Sequence, residues 1–314
     1  MSKAGLWQPY LDEPAMFTWY ALPADLQAEW DQYQPDGTEL DALPSSVFAA
    51  MRNEAIAYAR ASVGALPYHN DPNHFEPTER YGMAAVRKFE QLSRRSMPMI
   101  VKQAGAVALR LHDCHHCGSA FRADAAHPSL LHRLELGTRV SSEWVSAQAI
   151  NQFSRRYDLP VPARLFQTMI VWCSTIAGHT PRGQELGIPV VEPQGLWGWI
   201  MRSADICPPD DFLTWIANAA AVKYAEIPAE APPLSRSGFL EAQIAFTDHI
   251  ESCFDQLDAV TRVPLTRELG WRRLLRHHRL QLERVIAGRE PALSQAIDGI
   301  LAIHGPSRLE PAGA

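Results

Sequence analysis

The stretch AVALRLHDCHHCG, residues 106–118, constrains this chain more than any other. Small and aliphatic residues at helical spacing (Val107, Leu109, Leu111) give way abruptly to His112, Asp113, Cys114, His115, His116 and Cys117, and Gly118 stands where a helix would stop. The pattern predicts a buried helix ending in metal-ligating groups. On a helix carried through to Gly118, His112 and His116 share a face and Asp113 points to an adjacent one. That disposition suits a divalent cation held by His112 and Asp113, with His116 left to touch a substrate or a second metal. Read alone, a His–Asp pair is as readily a local hydrogen bond. Cys114 and Cys117 make a zinc ribbon only if a second pair follows at comparable spacing. Cys173, Cys207 and Cys253 are scattered singly, so the two thiols read as helix packing.

The remaining chain reads as helices punctuated by Pro and Gly. Residues 1–43 form an arm rich in aromatics (Trp7, Tyr10, Phe17, Trp19, Tyr20) with a short helix expected over 24–33; such aromatics either cover a pocket or, more ordinarily, tuck an arm onto a domain. Apolar spacing predicts a helix over 45–63, with Ser45 or Ser46 as N-cap. The breakers between Pro67 and Asn73 end it, and His74 stands at the head of the next. Further helices are expected from Ser141 or Ser142, with the stripe Trp144, Val145, Ala147, Ile150 and Phe153, and over 163–178, ending at Gly178 and His179. In LWGWIMRSADICPPDDF an apolar helix carries Asp205 between Ala204 and Ile206, where a carboxylate is costly unless paired or metal-bound. Asp210 and Asp211, beyond the prolines, read as solvated. Residues 212–250 read as helical around a Pro-rich insert at 227–238. The segment 266–288 is a basic helix with Arg272, Arg273, Arg276, Arg279 and Arg284. Its arginines could meet phosphate or a nucleic-acid backbone, but Glu268, Glu283, Trp271, Leu274, Leu275, Leu280 and Leu282 make it an amphipathic packing helix. Residues 306–314 read as a tail.

No run alternates with a strand period and no repeat is evident. The expectation is an all-α protein, with a single helical domain over 44–305. With 314 residues, 46% hydrophobic and 20% charged, the chain can bury a substantial core. A net charge of -6 argues against a general nucleic-acid binder. No window offers the roughly 18 apolar residues of a membrane span, and the N-terminus lacks a signal pattern, so no membrane partner is expected. Five cysteines without a framework fit a reducing compartment, and the cytoplasm is the expected location.

The segment AVALRLHDCHHCG resembles the signature helix of the HD superfamily of metal-dependent phosphohydrolases, in which an apolar run leads into His-Asp and then a further His or Lys. That resemblance, which spans roughly residues 55–250, implies an HD-type fold and a metal site completed by a His upstream and an Asp well downstream. Tyr68, His69 and Asn70, followed by His74, resemble the Tyr-His-Asn step before the first ligand in cyclic-nucleotide phosphodiesterases, with one residue more between. Both His69 and His74 are therefore candidates for the first ligand. His74 is favoured because its helix should project its first turn toward the signature helix, which leaves His69 as a proton donor to the leaving group or a turn residue. SADICPPDD resembles the segment carrying the terminal metal Asp, which assigns Asp205. The ligand set implied is His74, His112, Asp113 and Asp205 around one or two divalent ions (Mn, Mg, Fe, Co, Ni or Zn).

By the same resemblance His179 lines the site or binds a second metal, or else caps its helix. Gln243, three residues before Phe246, matches the amide that reads a purine edge beside a stacking ring; otherwise both are packing. The activity implied is hydrolysis of a phosphate ester, with a nucleotide as the substrate class, Asp113 in the catalytic machinery and protonated His116 or His69 neutralising a phosphate oxygen or the leaving group. Two other readings stand beside it. One is an HD-fold diiron oxygenase recruiting His116, His132 and His179; the other is a non-catalytic HD-fold scaffold.

Overall fold

A computed structural model describes residues 5–7, 9–11, 24–34, 41–63, 68, 72–114, 142–174, 190–226 and 234–304. After a short turn at Gly5–Trp7 come α1 (Ala24–Gln32), α2 (Ser45–Val63), α3 (Pro72–Ser93), α4 (Met99–Leu111), α5 (Ser142–Arg155) and α6 (Val161–Trp172). The second half comprises α7 (Gly195–Asp205), α8 (Phe212–Ala220), which runs into a wider π-helical turn at Ala221–Glu226, α9 (Arg236–Thr261), α10 (Leu265–Glu268), α11 (Trp271–Ile286) and α12 (Pro291–His304). Among the described residues there is no strand, and the fold is all-α as expected. No described helix is long and apolar enough to cross a membrane.

The centre is α4. Its sequence, MIVKQAGAVALRL, has almost no polar face, and residues 103–111 are buried all round. A helix apolar on every side can sit only inside a bundle, and α4 is enclosed by α2, α3 and α6. Its few polar side chains are satisfied in place. The Gln103 amide accepts from the Leu43 N–H at 2.7 Å and donates to the Leu43 carbonyl at 3.1 Å, while Arg110 pairs with the buried Glu79 of α3. Gly105 is a packing requirement: the Trp197 indole of α7 lies so close that a Cβ there would fall 2.2 Å from its ring. The ring then meets Phe166 edge-on at 5.5 Å. Trp7 of the arm is buried against the same Phe166, with ring centroids 5.4 Å apart, so this part of the arm is tucked onto the domain. α1 docks through Asp25 and Glu29, which meet Arg155 and Arg164.

A second, smaller apolar cluster joins α8, the first half of α9, α11 and α12, and Phe246 touches both clusters. Here α11 buries Trp271, Leu275, His278, Leu282 and Val285, so the packing-helix reading holds with one correction. Leu280, counted on the apolar stripe, is 44% exposed, and a histidine occupies a core position instead. The arginines are drawn to carboxylates on neighbouring elements: Arg272 to Asp255 and Asp258, Arg279 to Asp248 and Glu283, Arg284 to Glu290.

Several boundaries differ from the sequence expectation. Ser45 is the first helical residue of α2, and the Pro44 carbonyl takes the cap position by accepting from the Phe48 N–H at 2.9 Å. α6 ends at Trp172 and does not run to Gly178, because the buried Arg202 guanidinium donates to the Cys173 carbonyl at 3.1 Å and the Ser174 hydroxyl donates to Val171 at 2.7 Å, claiming acceptors a continuing helix would use. α9 starts inside the Pro-rich insert, at Arg236, capped by Ser235 accepting from the Gly238 N–H at 3.1 Å. The basic segment is broken at Gly270, whose φ of +78° favours glycine. The helix α12 was not anticipated.

Candidate metal centre

Three helix ends meet at one point. α3 presents His74 from its first turn, α4 presents His112 and Asp113 just past its last turn, and α7 presents Asp205 as its final residue. α4 ends at Leu111, so the expectation of a helix continuing to Gly118 is corrected. The His112 ring turns back on its own helix and Nδ1 donates to the Leu109 carbonyl at 2.9 Å. That bond fixes the tautomer and aims Nε2 away from the helix.

The Nε2 atom of His112 lies 2.9 Å from Asp205 Oδ1 and 3.2 Å from Asp113 Oδ2. His74 Nε2 lies 2.8 Å from the same Asp113 Oδ2, and its Nδ1 is hydrogen-bonded to the Tyr68 hydroxyl at 3.0 Å. The two imidazole rings are 4.8 Å apart. His74, His112 and Asp113 are buried, and the Asp205 side chain is 14% exposed. Burial alone pushes the His112 pKa down, but the charges and hydrogen bonds of Asp113 and Asp205 outweigh it and hold the imidazole well above the ordinary histidine value. His112 Nε2 thus stands between the Asp113 and Asp205 carboxylates.

One ligand atom from each of the four residues lies within 4.8 Å of all the others. Four tetrahedral donors about 2.1 Å from an ion lie about 3.4 Å apart, so binding one closes the widest span of the set and opens its 2.8 Å pair. Two imidazole nitrogens and two carboxylate oxygens suit a borderline or hard divalent ion. The C-terminal ends of α4 and α7 add partial negative charge at the same point. Cys114 does not belong to the set: burial pushes its thiol up to about 12, and the S–H is directed at the Ser146 carbonyl 3.9 Å away.

Thus the structure brings His74, His112, Asp113 and Asp205 together from positions up to 131 residues apart. His69, His116, His132 and His179 lie outside the described residues. Asp210 and Asp211 are exposed, as expected, and Asp211 caps α8 by accepting from the Thr214 N–H at 2.7 Å. Gln243 is not part of the cluster. It sits on α9, which packs on α7, with its side chain buried and its carbonyl oxygen without a described hydrogen-bond partner. Phe246 is half-buried and stacks on His249 at 6.1 Å. Sequence reasoning missed the pairing of Tyr68 with His74, whose only trace in the sequence is a tyrosine six residues upstream of a ligand histidine. Comparison of the chain with protein-family models, with curated proteins and with solved structures found no match.

Proposed function

We propose that this protein is a metal-dependent phosphohydrolase of HD type, acting on a phosphate ester of a nucleotide. The observation that carries the reading is the convergence of His74, His112, Asp113 and Asp205, drawn from three helices, on one buried point. A cluster of two imidazoles and two carboxylates at the inner end of a bundle is costly to a fold that uses it for nothing. A divalent cation held there would supply a Lewis acid that lowers the pKa of a water and draws charge from phosphorus, with coordination positions left for both.

The residues of the chain do the rest. His112 is held by Leu109 and His74 by Tyr68, so both rings are oriented before any ligand arrives. Asp113, bridging both imidazoles, balances the charge of the cluster, and Asp205 faces the less buried side. In the reaction a water oxygen forms a bond to phosphorus as the ester oxygen leaves; one water proton passes to the site and the leaving oxygen takes up another. His69 and His116 are the proposed donors of that second proton. The buried Gln243 amide is the proposed reader of a base edge.

The test is a screen of nucleotides and cyclic nucleotides with Mn and Mg, using the wild-type chain and Asp113→Ala. The variant should lose both turnover and metal content while its far-UV circular dichroism stays near wild type. A metal-loaded, active Asp113→Ala protein refutes the reading.

A further inference from the structure

At the other end of the bundle lies an open cavity of about 910 Å³. Two of its walls come from α3 and α7, which carry metal candidates further along, and the others from α6 and the end of α9. Phe89, the lining residue of α3 nearest His74, follows it by fifteen residues, and Gly198, the lining residue of α7 nearest Asp205, precedes it by seven. At about 1.5 Å per residue these spans are about 22 and 10 Å, so the cavity is separate from the metal centre. Its size falls at the upper end of the roughly 300–1,000 Å³ of small-molecule sites.

The chemistry of its walls is one-sided. Leu196, Val260 and Val263, each partly or well exposed, give it an apolar face over the buried Phe89, Met97 and Met169. Its charged lining residues are Arg95 and Arg262, with no Asp or Glu among the described lining residues, in a chain whose net charge is -6. Acids on neighbouring elements are already engaged. Glu90 accepts from the Met97 N–H at 2.7 Å and from Lys102 at 3.1 Å; Asp258 accepts from the Thr266 N–H at 2.8 Å and from Arg272 at 3.0 Å. Neither Arg95 nor Arg262 has a carboxylate partner among the described residues.

Arg262 ends α9 in the left-handed region, at φ +56°. Glycine or asparagine holds such a corner at lower cost, yet here the position carries a long cation into the cavity wall. The first residues of α7 also line the cavity. Gln194 gives them no side-chain cap, and the helix start adds to the positive field set by the arginines.

We propose that this cavity binds an organic anion with an apolar body, its acidic headgroup held by Arg95 and Arg262 and its aliphatic or aromatic portion laid on Leu196, Val260 and Val263. The ligand class is that of medium-chain carboxylates and their sulfonate or phosphate analogues. The inference is independent of the phosphohydrolase reading, because it is tested by binding without turnover.

The experiment titrates the full chain with 8-anilinonaphthalene-1-sulfonate and displaces it with octanoate, using octylammonium as the cation of matched tail. Saturable binding at one site per chain, displaced by octanoate and not by octylammonium, is expected. The double variant Arg95→Gln/Arg262→Asn should bind octanoate at least about tenfold more weakly, since charge-assisted hydrogen bonds are lost, and added salt should weaken the wild type. Both substitutions lie at exposed positions, and a thermal midpoint of the double variant no lower than that of the wild type separates lost binding from lost folding. Absence of saturable binding to the wild type, equal affinity for octylammonium, or undiminished octanoate affinity in the double variant each overturns the proposal.

Discussion

Replacing Gly105 with alanine sets two effects of opposite sign against each other. In an α-helix the change gains about 1 kcal/mol from backbone propensity. The new methyl group, however, falls 2.2 Å from Cζ3, 2.3 Å from Cη2 and 2.9 Å from Cε3 of Trp197. Carbon atoms in contact rest about 3.5–4.0 Å apart, so the indole must withdraw by more than an ångström. It is buried, and its far side meets the fully buried Phe166. Overpacking of this kind costs about 1–3 kcal/mol or more, and a displacement this large belongs at the upper end, leaving a net loss of about 2 kcal/mol. At about 2.1 cal/mol/K per residue, unfolding of this chain has an entropy of roughly 0.7 kcal/mol/K, so Tm should fall by about 3 °C in a calorimetric scan. Gly299→Ala is the control. It is an exposed position of α12 with nothing within 4 Å of the added carbon, and it should gain about 0.5–1 kcal/mol. If Gly105→Ala proves as stable as the wild type, or shifts Tm upward like Gly299→Ala, the packing of α4 against the Trp197 ring is wrong.

Other substitutions test other parts of the account. Tyr68→Phe removes the hydroxyl 3.0 Å from His74 Nδ1 and should lower affinity for Mn or Zn by about tenfold or more in calorimetric titration, with helix content unchanged; unaltered affinity would show that Tyr68 does not orient the ring. Burial holds the His278 imidazole below its ordinary pKa while Nε2 donates to the Pro209 carbonyl at 2.8 Å. The unfolded chain therefore takes up that proton more readily, and stability present above about pH 6.5 falls as pH drops toward the lowered folded value. His278→Gln should flatten this acid limb when urea midpoints at pH 7.5 and pH 5.5 are compared. Arg164 is buried and donates to the Leu159 carbonyl at 3.1 Å, to Asn151 Oδ1 at 2.8 Å and to Glu29. Arg164→Met should cost about 3 kcal/mol, seen as a Tm lower by about 4 °C, with Arg164→Lys recovering only part of the loss.

Three of the four candidate ligands were legible because each stands where its chemistry is out of place, whereas His74 was reached only through the resemblance to the Tyr-His-Asn step. His112 and Asp113 end an apolar helix, and Asp205 sits between Ala204 and Ile206, so the cost of burying a carboxylate announces a partner before any coordinates are known. The helix limits were less legible, since distant groups decide them. Nothing near Trp172 in sequence says that Arg202 will take the Cys173 carbonyl, and the His112 ring folding onto Leu109 ends α4 short of Gly118. On α11 the buried set 271, 275, 278, 282 and 285 follows a regular stripe, but one member is a histidine, and a count of apolar residues assigns its place to Leu280. The anion cavity left no local signature at all, because it is assembled from the ends of helices whose sequences mainly record how their middles pack.

The most direct measurement is X-ray absorption on the whole chain loaded with Zn or Co, compared with Asp113→Asn. The account predicts two imidazole nitrogens and carboxylate oxygens at about 2.0–2.2 Å, with binding lost or greatly weakened in the variant. A sulfur neighbour at about 2.3 Å, or metal uptake undiminished by Asp113→Asn, would contradict it.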